Sequence, residues 1–467
     1  MTTTLPSSPD LAATGAHGAD VHADVHQPSA LAHYDTELRA VLAAAGDTPA
    51  PAGAHLGGFA PGWDLPAPGA DLDRFFAPSG ISAHTLDEAG GRRIGLLNLM
   101  HNPRTRTTKT FASLVIVARA VAHIRRTGEP IMIVTPSSAN KATALRDAVL
   151  RAHESSLVTP EQLRIVCVVP STSTAKLWHS GLADDEASRT ANPVAVLAGD
   201  EPGDVKQLAR AVVDEEAEAL FADTGIRLWH SLDLRNYMVA DAVRALFERD
   251  FLPAEERTHA HSVSSAFGLL GHFHGQQWHT GKEWPGVGGQ YFLVQHLGTP
   301  DMVASLHHGR FDHRPAWVSR DGLYHQDQDP HFPQIAHDPE EQLDATFYTH
   351  KPATSPRMND IIRRQGGGGV VVSLMECLQR YPRIRHMLAP HGVHLPADPR
   401  DLREWSLVMA LTGVLNGVDR GLIGTQEILV HGSGSYGTGD FRTADPRHLR
   451  HIDSLDGLRQ AVRTAAA

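Results

Sequence analysis

Two cysteines in 467 residues, Cys167 and Cys377, are too few for a disulfide framework or a cysteine-rich zinc centre. Long apolar runs are missing as well, since none approaches the ~20 residues that a membrane span needs. The first lysine or arginine is Arg39, so the chain lacks the basic start of a secretory signal. These absences predict a cytoplasmic protein with no membrane partner. Positive charge is also scarce, with 42 Lys and Arg against 53 Asp and Glu and a formal net charge of −11. Gripping phosphate backbones needs the opposite balance, so no nucleic-acid partner is expected. What is present is ordinary, 41% hydrophobic and 20% charged, which excludes global disorder and fibrous repeats. The length suggests two or three domains at about 100–200 residues each.

Residues 1–70 are rich in Ala, Pro, Gly, Thr and Ser, as in Pro49-Ala50-Pro51-Ala52-Gly53, and read as a loosely packed arm with one short helix near Tyr34–Ala45. From Arg93 the texture changes. The β-branched runs 131–134, 165–169, 194–197, 291–294 and 428–430 read as buried strands. Between them lie amphipathic segments, the clearest carrying Phe111, Leu114, Val115, Ala118, Val121 and Ala122 on one face with Arg119, Arg125 and Arg126 elsewhere. This alternation predicts an α/β fold with parallel sheets. The stretch 307–352, dense in His, Asp, Gln and Pro, reads as a surface insertion of the length that often serves as a lid.

Two glycine clusters and several histidine pairs invite other chemistries. Gly432-Ser433-Gly434-Ser435-Tyr436-Gly437 follows a strand, but the residues after it cannot open the helix that would hold a pyrophosphate. Gly366–Gly369 lacks the Lys-Ser/Thr of a nucleotide-phosphate loop. His259-Ala260-His261, His272-Phe273-His274 and His307-His308 have no ligand spacing of a known metal site, so no metal is expected.

A stronger signal is a set of segments in chain order. Asn102-Pro103 is followed by Lys109 at the start of the amphipathic helix; a strand then ends in Ser137-Ser138-Ala139-Asn140-Lys141. Later a strand ends in Ser264-Ser265-Ala266-Phe267-Gly268, and the last ends in Gly432-Ser433-Gly434. Each sits at a strand end or helix start, where open α/β sheets bind ligands and backbone N–H groups receive anions. A lysine at a helix start is unfavourable for the helix dipole, which points to function.

In these segments the chain resembles the fold-type II pyridoxal-phosphate enzymes, the tryptophan synthase β-subunit family, and looks closest to threonine synthase and cysteine synthase. The resemblance runs from about Asn98 to Gly439. It implies two open, twisted, mostly parallel sheet domains with pyridoxal 5′-phosphate in the cleft between them, and a homodimer. The implied layout is an N-terminal arm (1–92) packing on the core, a large cofactor-phosphate domain (93–109 and 226–442), a small α/β domain (110–225) and a C-terminal tail helix (443–467). Lys109 would be the Schiff-base lysine and general base, and Asn140 would bond the cofactor's 3′-oxygen. Backbone N–H groups of Ser264, Ser265, Ala266, Phe267 and Gly268 would hold its phosphate, and Ser433, or else Ser435, would face the pyridine nitrogen. The substrate would be an amino acid undergoing β- or γ-elimination or replacement, contacted by Ser137 and Ser138. Arg104, Arg106 and Lys141 would select an acidic side chain or leaving group.

The chain departs from the family pattern at two places. Asn102 and Lys109 are seven residues apart rather than the family's six, with Thr110-Phe111 after the lysine. The family's Ser-Gly-Asn-Thr is Ser138-Ala139-Asn140-Lys141. A catalytically silent relative serving as a binding module and, more weakly, a histidine-ligated metal hydrolase are the alternative readings.

Overall fold

The β-branched runs all become strands, and they divide between two sheets. The computed structural model describes residues 24–47, 58–199, 203–281 and 288–467; the Pro49–Gly53 stretch of the expected arm lies outside the described residues. One sheet has five strands in the order Leu449–Ile452, Val194–Leu197, Leu163–Pro170, Ile131–Pro136, Arg227–His230, all parallel. Ile131, Ile133 and Ile165 face helices Lys109–Thr127 and Asn140–Glu154 on one side. Met132, Val134 and Val166 face helices Asp204–Thr224 and Leu455–Ala466 on the other. A strand buried on both faces must be apolar throughout, which is why these runs do not alternate.

The other sheet has seven strands, Val25–Gln27, Ile81–Thr85, Arg93–Asn98, Glu427–Gly432, Arg257–Ser262, Gln290–His296 and Gly367–Val372 in spatial order. The first two pair antiparallel and the rest parallel. The fold is therefore α/β with two open, mostly parallel sheets, and the strands 131–136 and 427–432 belong to different ones.

Three local expectations change. Helix Lys109–Thr127 is buried nearly all round from Thr110 to Ile124, not on one face alone. Arg119, placed by its period on the outer face, is 1% exposed. Its guanidinium donates to the carbonyls of Pro61 and Gly62 and lies 3.6 Å from the Trp63 ring, because the N-terminal arm folds over the helix. The tail at 443–467 forms the strand Leu449–Ile452 as well as the helix Leu455–Ala466. The His-rich stretch begins in helix Asp301–His308 and builds a three-stranded antiparallel sheet from Val318–Arg320, Leu323–His325 and Ile335–Ala336. Among the described residues no helix is long and apolar enough to cross a membrane.

Candidate active site

Strand ends and helix starts from both sheets converge on a cavity of about 470 Å³. Of the residues expected at a site, Lys109, Ser138, Asn140, Lys141, the whole loop Ser264–Gly268 and Ser433 line it. Ser435 does not; its backbone N–H donates to the Arg106 carbonyl. The end of the His-rich stretch, with Ala353 and Thr354 just after it, closes one side.

Lys109 opens its helix with no side-chain cap from Thr108. Burial pushes its amine pKa below the ordinary value; the Arg244 guanidinium acts in the same direction, and Asp241 and Glu404 oppose them. Arg244 is itself fixed in the core. It pairs with Asp241 at 2.6 Å and donates to Thr108 Oγ1 at 2.8 Å and to His431 Nδ1 at 3.2 Å. An arginine has only donors, so His431 must carry its proton on Nε2 and give it to His259 Nδ1, 3.1 Å away. His259 then keeps its own proton on Nε2, facing Glu248 Oε1 at 3.6 Å. Glu248 also receives Arg257 at 2.5 Å and His272 Nε2 at 2.6 Å. Burial alone would raise the Glu248 pKa; His259, His272 and Arg257 hold it well below the carboxylate range. Two directional hydrogen bonds thus tie the Arg244 side chain to His431 and His259 on the floor of the large sheet.

The loop 264–268 turns at Ala266, which has left-handed backbone (φ 52°), and helix Phe267–Thr280 begins without a side-chain cap. Its first N–H groups are thus left without a side-chain acceptor, which suits an anion. Gly268 is needed because a Cβ there would come within 2.8 Å of the Arg244 guanidinium packed beneath the loop.

On the other wall, the Asn140 amide is held at both ends. Its Nδ2 donates to Glu404 Oε2 at 2.6 Å, and its Oδ1 accepts from Tyr436 Oη at 2.6 Å. Glu404 in turn receives Lys176 Nζ at 2.5 Å, and Lys176 also binds both Asp344 oxygens at 2.9 Å. Ser137 lies behind the cavity wall, where its Oγ accepts the N–H groups of Ala139 and Ala142 at 3.2 and 2.7 Å; it caps the helix and does not face the cavity. Ala139 adopts φ 92°, ψ −58°, a backbone region natural to glycine, at a cost of ~1–3 kcal/mol.

Arg104 and Arg106 do not line the cavity. Arg104 bonds Glu154 at 3.0 Å and Asp147 at 3.3 Å, and Arg106 bonds Asp440 at 2.8 Å. Acidic neighbours hold both arginines away from the interior, and Arg106 has positive φ (47°), which turns the chain before Lys109. Two lysines that no sequence spacing marks, Lys206 and Lys351, line the cavity instead.

The histidine pairs separate in space. His259 and His272 meet His431; His272 bonds Tyr291 and Glu248, His431 bonds Arg244 and His259 Nδ1, and His259 Nε2 is left without a hydrogen-bond partner. His308 and His313 stack 3.5 Å apart and both face the same oxygen of Asp329. His261 lines the cavity, and neither of its ring nitrogens has a hydrogen-bond partner. Thr107 Oγ1 and Lys141 Nζ are likewise buried and unpartnered. Sequence reasoning missed Glu404, Arg244, Lys206, Lys351 and His261 as site residues. His261 alone left a trace, since it stands near the end of the strand that leads into the loop 264–268.

Buried polar atoms without partners are costly, ~1–3 kcal/mol each, and a cavity that gathers several of them is built for a polar guest. The overall layout is similar to that of PLP-bound threonine synthase from Brucella melitensis (TM-score 0.49, 10% identity, covering 80% of this chain and 78% of that one). It is also similar to a hydrogen sulfide-producing enzyme from Fusobacterium nucleatum (0.46, 12%, 79% and 98%) and to a fungal L-serine ammonia-lyase from Rhizomucor miehei (0.46, 13%, 74% and 90%). At these identities the chemistry has to come from the side chains themselves. No curated protein matches the sequence. A family of unknown function, DUF6002, matches residues 26–466, so the chain belongs to that family.

Proposed function

We propose that the protein is a pyridoxal-phosphate enzyme acting on an amino acid, by elimination or replacement at the β or γ carbon. The observation that carries this reading is that Lys109, Ser433 and the uncapped loop 264–268 line one cavity together with the unpartnered atoms of Thr107, Lys141 and His261. The residues fit the cofactor. Lys109 would bond it, the N–H groups at the start of helix Phe267–Thr280 would hold its phosphate, and Ser433 would meet its pyridine nitrogen. Bound there, pyridoxal phosphate supplies an electron sink for a substrate carbanion.

The chain's own residues supply the rest. Lys109 must be neutral to accept a proton from the substrate's α carbon, and burial together with Arg244 favours that state. The Ser433 hydroxyl, 3.5 Å from Ser262 Oγ, offers no negative charge to protonate a pyridine nitrogen, which suits elimination or replacement better than transamination. Tyr348 and Phe347 from the His-rich stretch help to exclude water. Purified protein with added cofactor should absorb at about 400–430 nm, lose the band on borohydride treatment and lack it in Lys109→Ala. A protein that stays colourless with added cofactor refutes the reading.

The Ser137 cap favours a second reading, a silent relative. Its hydroxyl occupies the helix-start N–H groups of Ala139 and Ala142, where the resemblance puts the substrate carboxylate. Turnover of any amino acid by the cofactor-loaded protein disposes of it; cofactor binding without turnover across an amino-acid panel supports it.

A further inference from the structure

The cavity is basic inside an acidic protein. Its lining carries Lys109, Lys141, Lys206, Lys351 and Arg244 against only Asp241 and Glu404, in a chain of formal net charge −11. Both acids are already engaged: Asp241 with Arg244, Glu404 with Lys176 and Asn140. Lys109 has its role under the reading above. The other three lysines have no ion-pair partner among the described residues. Lys141 is 8% exposed, its Nζ has no hydrogen-bond partner and lies 5.7 Å from the Tyr237 ring, and burial above all lowers its pKa to about 7. Lys206 is partly buried; it reaches Thr349 Oγ1 at 3.4 Å and the Tyr348 ring at 5.1 Å. Lys351 is the solvent-exposed member.

Position separates Lys141 and Lys206 from the expected phosphate loop. Lys141 and Lys206 are carried by helices Asn140–Glu154 and Asp204–Thr224, which pack on the five-stranded sheet. The loop 264–268 follows a strand of the seven-stranded sheet. An anion held by the loop therefore leaves the lysines on the opposite layer unanswered, and a desolvated cation such as Lys141 is unstable without counter-charge. We propose that Lys141, Lys206 and Lys351, with the Thr349 hydroxyl, form a second anion subsite that binds a carboxylate or phosphate on the side chain of the amino-acid substrate. The proposal rests on the amino-acid reading of the site and narrows its substrate to acidic or phosphorylated amino acids. The repulsion of Lys206 on the buried Lys141 is then relieved when such a substrate is bound, so the subsite discriminates against neutral side chains.

The test has two arms. In the first, cofactor-loaded protein is titrated with O-phospho-L-serine, L-serine, L-aspartate and L-asparagine at fixed ionic strength, read by the cofactor's absorbance. The wild type should favour a charged amino acid over its neutral counterpart by about tenfold or more, as one charge-assisted contact gives. Lys141→Gln and Lys206→Gln should each bring that ratio toward unity, while Lys141→Arg should restore it. Phosphoserine and aspartate distinguish a phosphate subsite from a carboxylate one. In the second arm, inorganic phosphate is titrated calorimetrically into cofactor-free protein, where each Gln variant should lose a component of the binding seen in the wild type. Absence of the cofactor band with a lysine-dependent phosphate signal counts against the cofactor and leaves the anion subsite standing. No charge preference, equal losses on charged and neutral amino acids, or phosphate binding unchanged in both variants overturns the subsite. If Lys141→Gln does not fold, Lys206→Gln and Lys351→Gln decide.

Discussion

Replacing Lys176 by Met removes the cation from the triad it forms with Asp344 and with Glu404, which lines the cavity beside Asn140. Burial alone would lower the Lys176 pKa; the two carboxylates overcome it and hold the ammonium well above its ordinary value. Both carboxylates have side chains only 1% exposed. At an effective dielectric of about 20, each contact at 2.5–2.9 Å has a gross attraction of about 6 kcal/mol, much of it offset by desolvation. Without the ammonium, two buried carboxylates are left with no counter-ion, and the cost should be about 3–5 kcal/mol, a large share of a typical stability of roughly 5–15 kcal/mol. The sign with pH follows. In the variant, adding a proton to one of the two buried carboxylates removes an uncompensated charge, so the deficit shrinks as pH falls. Urea unfolding of wild type, Lys176→Met and Lys176→Met/Glu404→Gln at pH 8 and pH 5 measures it. The double variant should recover part of the loss at pH 8. A single-variant deficit below about 1 kcal/mol, or one that is the same at both pH values, refutes the triad's role.

Buried histidines make a separate acid limit. Burial above all lowers His230 and His296 to about 4, against an unfolded value of about 6.5. Their contribution is intact above about pH 6.5 and is lost as pH falls toward 4, by about 1.4 kcal/mol per pH unit for each. Urea midpoints should drop between about pH 6.5 and pH 5, less so in His230→Asn; a flat profile contradicts the assignment. Arg104→Ala should cost no more than about 1 kcal/mol and leave amino-acid selectivity untouched, because Arg151 and Asn102 still hold Asp147; a change in selectivity measured on charged and neutral amino acids would put Arg104 at the cavity after all.

The parts of the site that were legible in the sequence share one property: each is fixed by its immediate neighbours. Lys109 follows a turn and starts a helix, the loop 264–268 joins a strand to a helix, and Ser433 ends a strand, so local order predicts a ligand-facing position. Glu404, Arg244, Lys206 and Lys351 reach the cavity through tertiary packing. Arg244 lies inside helix Val243–Phe251, where no period distinguishes a residue facing a cavity from one facing a core. Arg104 and Arg106 show the converse, since closeness to Lys109 along the chain did not survive the turn at Arg106. The helical period also misjudged Arg119, because a stripe pattern assumes one packed side and the N-terminal arm supplied another. The α/β class with parallel sheets was legible because continuous apolar strands and amphipathic helices alternate over most of the chain; the division into two sheets followed from the resemblance carried by the four ligand-facing segments.

Strand Leu449–Ile452 completes the five-stranded sheet beside Val194–Leu197, and helix Leu455–Ala466 brings Leu458, Ala461 and Val462 into that sheet's core. Arg459 and Arg463 clamp it to Glu216 of helix Asp204–Thr224 at 2.7 Å each. During synthesis the ribosome releases residues 131–230 long before this segment, so until it emerges the Val194 strand presents an unpaired edge and the apolar face beneath it stays wet. The layer carrying Lys141 and Lys206 therefore matures last, by capture of its own distant chain. A chain ending at Gly437 would hold every strand of the seven-stranded sheet, beside a sticky and incomplete partner layer.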